Sequence, residues 1–241
     1  MNPVDPPGAA PPPISNAPEP PREGRSVIDR LIRGGDALLA ELDGTAGERL
    51  LAVLAAIALV GHLVYGLVVG SFSGGTQWWA APAKVLAGTL LCALICFPSL
   101  YIFACFSGAD VSVRRVVGML LALFALTGVF LAGFTPVTWV FSQSSTLVSF
   151  VGAIHLTVWS LSVLVSSRIL FGSLRRWKAR NPGVVGTWVL ILLVTCAQMM
   201  TALRPIVGTS SRFLDPEKRF FLQHWFETMG EDMRKDGPPR R

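Results

Sequence analysis

Acidic side chains are nearly absent from the middle of this chain. Between residues 50 and 203 the only carboxylate is Asp110, although the whole sequence contains 15 Asp and Glu residues. A soluble helical protein of this length would need polar faces on its helices, and these segments have none. The absence therefore excludes a soluble helical domain for this part of the chain.

Long apolar runs occupy the segment that lacks acid. A helix needs about 20 predominantly apolar residues to cross ~30 Å of hydrocarbon, and the mean hydropathy of the chain is +0.53. No signal peptide precedes the first run, so we expect the first helix to direct insertion itself. We predict an all-α polytopic membrane protein, a bundle of five transmembrane helices at residues 50–72, 84–106, 116–141, 146–171 and 184–203.

Residue types that build chemical sites are also scarce. All four cysteines, Cys92, Cys96, Cys105 and Cys196, fall inside predicted spans, where neither a disulfide framework nor a soluble zinc ribbon would be built. We interpret them as small buried apolar residues. No recognisable motif names a reaction, so we expect no enzymatic activity and no cofactor. The missing intramembrane carboxylate also argues against a proton- or sodium-coupled transporter.

The charges of the connecting loops predict an orientation. Loops 73–83 and 142–145 carry no charge, whereas loop 107–115 ends in two arginines and loop 168–182 carries five basic residues and no acid. Loops rich in Lys and Arg face the cytoplasm. We therefore predict a plasma (inner) membrane protein with a cytoplasmic amino terminus and an outer carboxyl terminus.

Two different tails flank the predicted transmembrane domain at residues 50–206. Residues 1–25 are rich in proline and are predicted to be disordered. In the segment 26–49, apolar residues at helical spacing predict an amphipathic helix over 27–43, capped by Ser26 and interrupted at Gly34 and Gly35. We expect it to lie on the inner leaflet or on the cytoplasmic end of the bundle.

The outer-face tail, residues 207–241, repeats this pattern. Asp215 and Pro216 supply an N-cap and a proline at the first helical position, and aromatic and methionine side chains follow at four-residue spacing. We predict a second amphipathic interfacial helix here. Both tails would anchor the bundle in the lipid bilayer or bind a protein partner.

Polar side chains inside the spans are functional candidates because their burial is costly. We single out His62, His155, Gln198 and Arg204. The histidines fall near the predicted mid-membrane depth, so they could ligate haem, or bind zinc or copper together with Cys92 and Cys96; interhelical hydrogen bonding is the alternative. Arg204 could snorkel to lipid phosphates, pair with the polar residues 142–145, or hold an anionic ligand.

Glycines recur along the first predicted span, at positions 61, 66 and 70. Small residues let helices approach closely, and the last two match the small-xxx-small pattern. The sequence alone therefore leaves a homo-oligomer open as an alternative.

The layout of five spans, an amphipathic lead-in and a short outer carboxyl end resembles the Yip1-type membrane proteins. Stretches 97–108 and 203–208, with Arg114-Arg115 between them, resemble uncharacterised bacterial inner-membrane proteins. The Asp-Leu-Tyr-Gly-Pro stretch of the Yip1 type is absent ahead of the first span. The resemblance therefore implies an architecture over residues 50–203 and no catalytic residue.

These observations leave three classes of function. A non-enzymatic membrane scaffold or assembly subunit is favoured, since two amphipathic tails flank a plain apolar bundle. A small-solute or ion permeation protein using His62, His155 and Gln198 is the first alternative, and a haem- or metal-binding redox subunit or membrane enzyme is the second. Nucleic-acid binding is not expected, because the net charge of +6 lies largely in loops predicted to face anionic lipid.

Overall fold

Every element in the part of the chain described by the computed structural model, residues 26–73, 75–145 and 148–202, is helical. A short amino-terminal helix leads through a 3₁₀ turn into a set of long apolar helices. In chain order the elements are α1 (Val27–Leu39), the 3₁₀ turn Ala40–Asp43, α2 (Gly47–Ser73), α3 (Gln77–Phe106), α4 (Val113–Ser144), α5 (Val148–Ser166), α6 (Arg168–Arg176) and α7 (Val184–Ala202).

Four stretches are long and apolar enough to cross a membrane: Gly47–Phe72, Gln77–Phe106, Val113–Ser144 and Phe150–Arg176. They make this a membrane protein. Helix α7 is apolar as well, but it is counted among the shorter helices over Val184–Met199. The predicted number of five spans is therefore not confirmed.

Helix α3 begins earlier than its hydropathy predicts, at Gln77 instead of residue 84. Its first turns are helical because they pack closely against α2. A Cβ atom on Gly66 would lie 2.6 Å from Pro82 Cα, and one on Gly70 would lie 2.5 Å from the Gln77 carbonyl oxygen. The small-xxx-small pattern is thus used for contact between two helices of the same chain.

The fourth predicted span, residues 146–171, is divided in the structure. Helix α5 ends at Ser166, and α6 begins at Arg168 and packs against α1. A Cβ atom on Gly35 of α1 would lie 2.8 Å from Ile169 Cδ1 of α6, so the two helices meet with little space between them. Packing against α1 therefore explains why α6 is separate from α5, a division that hydropathy alone did not predict.

Helix α4 lies at the centre of the bundle and contacts α2, α3 and α5. Its closest approach is to α2, where a Cβ atom on Gly61 would lie 2.5–2.7 Å from backbone atoms of Gly128. Lipid is as apolar as leucine, so helices in a membrane associate through such close packing. Leu54, Leu123 and Leu126 are fully buried in the core of which this contact is part.

The end of the bundle that carries α1 and α6, here named the α1 end, is covered by the predicted amphipathic helix. Ser26 Oγ accepts a hydrogen bond of 3.2 Å from the Asp29 amide, and the backbone of Gly34 is non-helical, so the predicted cap and the predicted interruption are both confirmed. The apolar side chains of this helix and of the 3₁₀ turn that comes after it pack on the bundle. Those fully buried are Leu31, Leu38, Leu39 and Leu42.

Ion pairs hold α1 and the 3₁₀ turn on the bundle at two places. Arg115 Nη2 of α4 lies 2.7 Å from Asp43 Oδ2, and its guanidinium group lies 5.3 Å from the centre of the Trp177 ring. Arg176 of α6 lies 3.1 Å from Asp36 of α1. Hydrogen bonding to Arg115 holds the pKa of the Asp43 carboxyl below its ordinary value.

We predict that Gly61→Ala will destabilise the bundle by about 1–3 kcal/mol, because the added methyl group overlaps the backbone of Gly128. Gly133→Ala is the matched control, since a Cβ atom on this exposed glycine of α4 meets nothing within 4 Å. That change should be neutral or slightly stabilising. Unfolding in detergent, followed by circular dichroism, measures both; equal effects would contradict the packing argument.

We predict that Asp43→Asn will lower the free energy of unfolding by about 0.2–1 kcal/mol near pH 7, the range for a partly exposed ion pair. Because the folded-state pKa is depressed, the stabilisation is present above the ordinary carboxyl pKa and is lost as pH falls through the folded value. The difference between variant and wild type should therefore shrink as the pH falls below the ordinary carboxyl range.

Asp110→Asn is the control for this experiment. The Asp110 carboxylate is 94% exposed and 3.8 Å from Arg115 Nη1, so removing its charge should change stability little. Unfolding curves between pH 3 and pH 7 compare the three proteins. A pH-independent loss in Asp43→Asn would show that the carboxylate charge is not what stabilises the contact.

Candidate functional site

A chain of hydrogen bonds connects α2, α4 and α5 near the end of the bundle opposite α1. Tyr65 Oη lies 2.7 Å from His155 Nδ1, and His155 Nε2 lies 3.2 Å from Ser142 Oγ. Ser142 Oγ in turn donates to the Thr138 carbonyl oxygen at 2.7 Å. All four residues are buried, and together they are named the His155 network.

The geometry of this network assigns the protons. Because the Ser142 hydroxyl donates to Thr138, its oxygen accepts from His155 Nε2–H, and His155 Nδ1 then accepts from the Tyr65 hydroxyl. The ring of Tyr65 meets the imidazole edge to face, with centroids 5.5 Å apart. Both ring nitrogens of His155 are therefore used in bonds between helices.

The helices position these side chains by simple periodicity. Thr138 and Ser142 are four residues apart on one face of α4, and Ser142 lies two residues before that helix ends. His155 lies about 10 Å along α5 from Val148, at a rise of ~1.5 Å per residue. It therefore lies in the first half of α5, near the middle of that helix.

His62 lies one turn before Tyr65 on α2 but has different neighbours. Its Nδ1–H donates to the Ala58 carbonyl oxygen at 2.8 Å, and its ring meets Phe124 of α4 at 6.2 Å between centroids. Its other nitrogen, Nε2, is buried and has no hydrogen-bond partner in the described part of the chain. His62 therefore contributes to the α2–α4 contact and is not a member of the His155 network.

The buried cysteines lie at a different helix contact, between α3 and α7. Cys92 Sγ is 2.6 Å from Cys196 Sγ and 4.0 Å from Cys96 Sγ. These three are buried, as predicted, whereas Cys105 is exposed, so the prediction for that residue is wrong. Cys105 lies one residue before the end of α3, between the buried residues Ala104 and Ser107.

The hypothetical haem, zinc or copper site is not assembled in this structure. His62 contacts α4, both nitrogens of His155 are hydrogen-bonded, and Cys92 and Cys96 face α7. Within residues 26–73, 75–145 and 148–202, no group of three or more His, Cys, Asp or Glu side chains could hold a metal ion. The tertiary structure therefore separates residues that the predicted spans place at a similar depth in the membrane.

The two remaining candidates lie near the end of α7. Gln198 is partly buried in the last turns of that helix. Arg204 lies outside the described residues, so the predictions made for it stay predictions. Ser142, predicted as part of an outer polar cluster available to Arg204, instead points into the bundle and contacts His155.

Tyr65 and Lys84 are among the buried polar residues that sequence reasoning missed. Tyr65 is one of two tyrosines in the chain and lies within an apolar run, a signal that could have identified it. In the sequence, Lys84 is only the first residue of the second predicted span. In the structure it is 1% exposed, because α3 extends past it to Gln77. A cation inside a membrane-spanning helix is a feature that its sequence context could have revealed.

The chain matches no protein-family model, no curated protein sequence and no solved structure. The resemblance to Yip1-type proteins is therefore neither supported nor refuted by these comparisons. A function for this chain rests on the geometry of its described residues.

We predict that Tyr65→Phe will lower the free energy of unfolding by about 1–3 kcal/mol, because it leaves His155 Nδ1 buried without a donor. Combining it with His155→Leu should cost less than the sum of the two single changes, since the two residues act on each other. Denaturant unfolding in detergent measures this double-mutant cycle.

Ser144→Ala is the matched control for loss of a hydroxyl group. Ser144 is exposed and its hydroxyl donates only to the Val140 carbonyl oxygen of its own helix. This change should alter stability by less than about 0.5 kcal/mol. Additive effects of Tyr65→Phe and His155→Leu would contradict the assignment of a hydrogen bond between them.

Proposed function

We propose that this chain is a non-enzymatic membrane scaffold or assembly subunit of the plasma (inner) membrane. In this proposal five helices span the bilayer, the amino terminus and the α1 end face the cytoplasm, and the carboxyl terminus faces outward. The amphipathic segments at residues 26–49 and 207–241 hold the bundle at the two membrane surfaces and contact a protein partner.

The observation that supports this proposal is the closed apolar core of the bundle. Leu54 of α2 and Met119 and Leu123 of α4 are fully buried in the half of the bundle nearer α1. A conduit needs a polar or hydrated lining. The buried hydroxyl groups of Thr127 and Ser162 instead donate to carbonyl oxygens of their own helices, at 2.8 and 2.7 Å.

The α1 end also suits a docking surface. Helix α1 packs its leucines on the bundle while Ile28 and Ile32 remain exposed, at 43% and 39%. Backbone hydrogen bonds from Asp110 to Trp177 and from Arg180 to Ser107, of 3.1 and 2.9 Å, join the two loops beside it. A surface fixed by such contacts offers a partner a preformed shape, which lowers the entropy lost on binding.

Small-solute or ion permeation is the second candidate, and the His155 network is the observation that favours it. Histidine between two hydroxyl groups can receive and donate a proton. This candidate predicts that His155→Leu abolishes proton flux into liposomes that contain the purified protein, without changing its yield. Scaffolding predicts equal flux for the wild type, His155→Leu and empty liposomes.

We predict that the tagged protein, purified from its own membrane in mild detergent, will carry a near-stoichiometric partner. Changing Ile28 and Ile32 together to serine should release this partner while the bundle still folds, because both side chains are exposed. Deleting residues 1–25 is the control and should leave the partner bound. Mass spectrometry of the co-purified proteins measures both outcomes. A protein that purifies without a partner would contradict the scaffold proposal.

A further inference from the structure

Three buried thiols meet where α3 packs against α7. The Sγ atoms of Cys92 and Cys196 are 2.6 Å apart, and Cys96 Sγ is 4.0 Å from that of Cys92. A disulfide bond has a length of about 2.05 Å, so the first two sulfur atoms lie close to bonding distance. Both cysteines are free in this structure.

The alignment of the two helices fixes which cysteines face each other. Trp188, Leu192 and Cys196 are spaced four residues apart along α7, and all three are buried. The Trp188 indole N–H donates to Ser99 Oγ of α3 at 3.0 Å, while two turns further on Cys196 contacts Cys92. The helices run in opposite directions, so these two contacts belong to one antiparallel arrangement of α3 and α7.

Helix α7 depends on this contact more than on any other. It packs chiefly on α3 and has fewer contacts with α5. The three thiols are buried, whereas Leu91, Leu94 and Ile95, which lie beside Cys92 and Cys96 on α3, are exposed on the surface of that helix. Aqueous reagents are excluded there, whereas an oxidant dissolved in the bilayer can reach the helix surface.

We propose that Cys92 and Cys196 form a reversible disulfide that joins α7 covalently to α3, and that its oxidant is a lipid-soluble quinone. The two S–H bonds break and one S–S bond forms. Two electrons and two protons pass to the quinone, which leaves as the quinol. A dithiol reductant reverses the reaction by thiol–disulfide exchange. The joined state holds α7 in place on the bundle, whereas the reduced state leaves it attached by packing alone.

The full chain, reconstituted in lipid nanodiscs, is incubated with a short-chain ubiquinone to test this proposal. Free thiols are then blocked under denaturing conditions, the protein is reduced, and newly released thiols receive a second label for peptide mass spectrometry. Cys92 and Cys196 should carry the second label, and exposed Cys105 should carry the first. About one equivalent of quinol should form per chain, since the couple transfers two electrons.

Single variants identify the bonded pair. Cys92→Ser and Cys196→Ser should each abolish quinol formation, whereas Cys96→Ser inside the cluster and Cys105→Ser outside it should retain it. Oxidation should raise the unfolding temperature of the wild type and not that of Cys196→Ser. The labelling of wild-type protein decides the proposal even where a variant fails to fold.

Three results would overturn the proposal. In the first, Cys92 and Cys196 remain free thiols after treatment with the quinone and with a stronger membrane-permeant oxidant. In the second, the new disulfide includes Cys105 or joins two chains on a non-reducing gel. In the third, the cysteines of unoxidised protein are protected from labelling until a chelator is added, which would indicate a bound metal ion.

Discussion

Helices α2 and α4 meet backbone to backbone where Gly61 lies against Gly128. Close packing is the main attraction between helices in lipid, so this contact places the rest of the bundle. It brings the His62 ring against α4, buries Leu54 and Leu123 in the common core, and allows Tyr65, one turn further along, to reach His155 of α5. A side chain at either glycine would move the two helices apart.

Polar groups buried among lipid-facing helices must find partners inside the protein. This chain uses them sparingly and mostly in two ways: hydroxyl groups donate to carbonyl oxygens of their own helix, and a few side chains join neighbouring helices. The His155 network joins α5 to α2 and α4, and the Trp188 indole joins α7 to α3. Each outer helix thus has its own polar attachment, which suits a scaffold of fixed shape and places the thiols of Cys92 and Cys196 together.

Among the described residues the charges lie at the α1 end, where ion pairs hold the amino-terminal helix on the bundle, and buried Lys84 of α3 is the exception. Asp43 and Asp36 pair with Arg115 and Arg176, which lie on α4 and α6 and so connect the amino-terminal helix to distant parts of the chain. The leucines of α1 are buried against the bundle, and the ion pairs fix the position of this helix. The leucines of the amphipathic pattern are thus buried against the protein itself, whereas Ile28 and Ile32 stay exposed.

The sequence by itself determined the membrane class, the positions of four long apolar helices, and the Ser26 cap and Gly34 break of α1, because hydropathy and capping depend on residues close together in the chain. Only the tertiary structure decided that Ser142 turns inward, that His62 and His155 have separate partners, and that Cys92 meets Cys196. Those contacts depend on the rotation and register of each helix against its neighbours. Apolar helices carry little signal for either, since every face of such a helix is compatible with lipid or with the core.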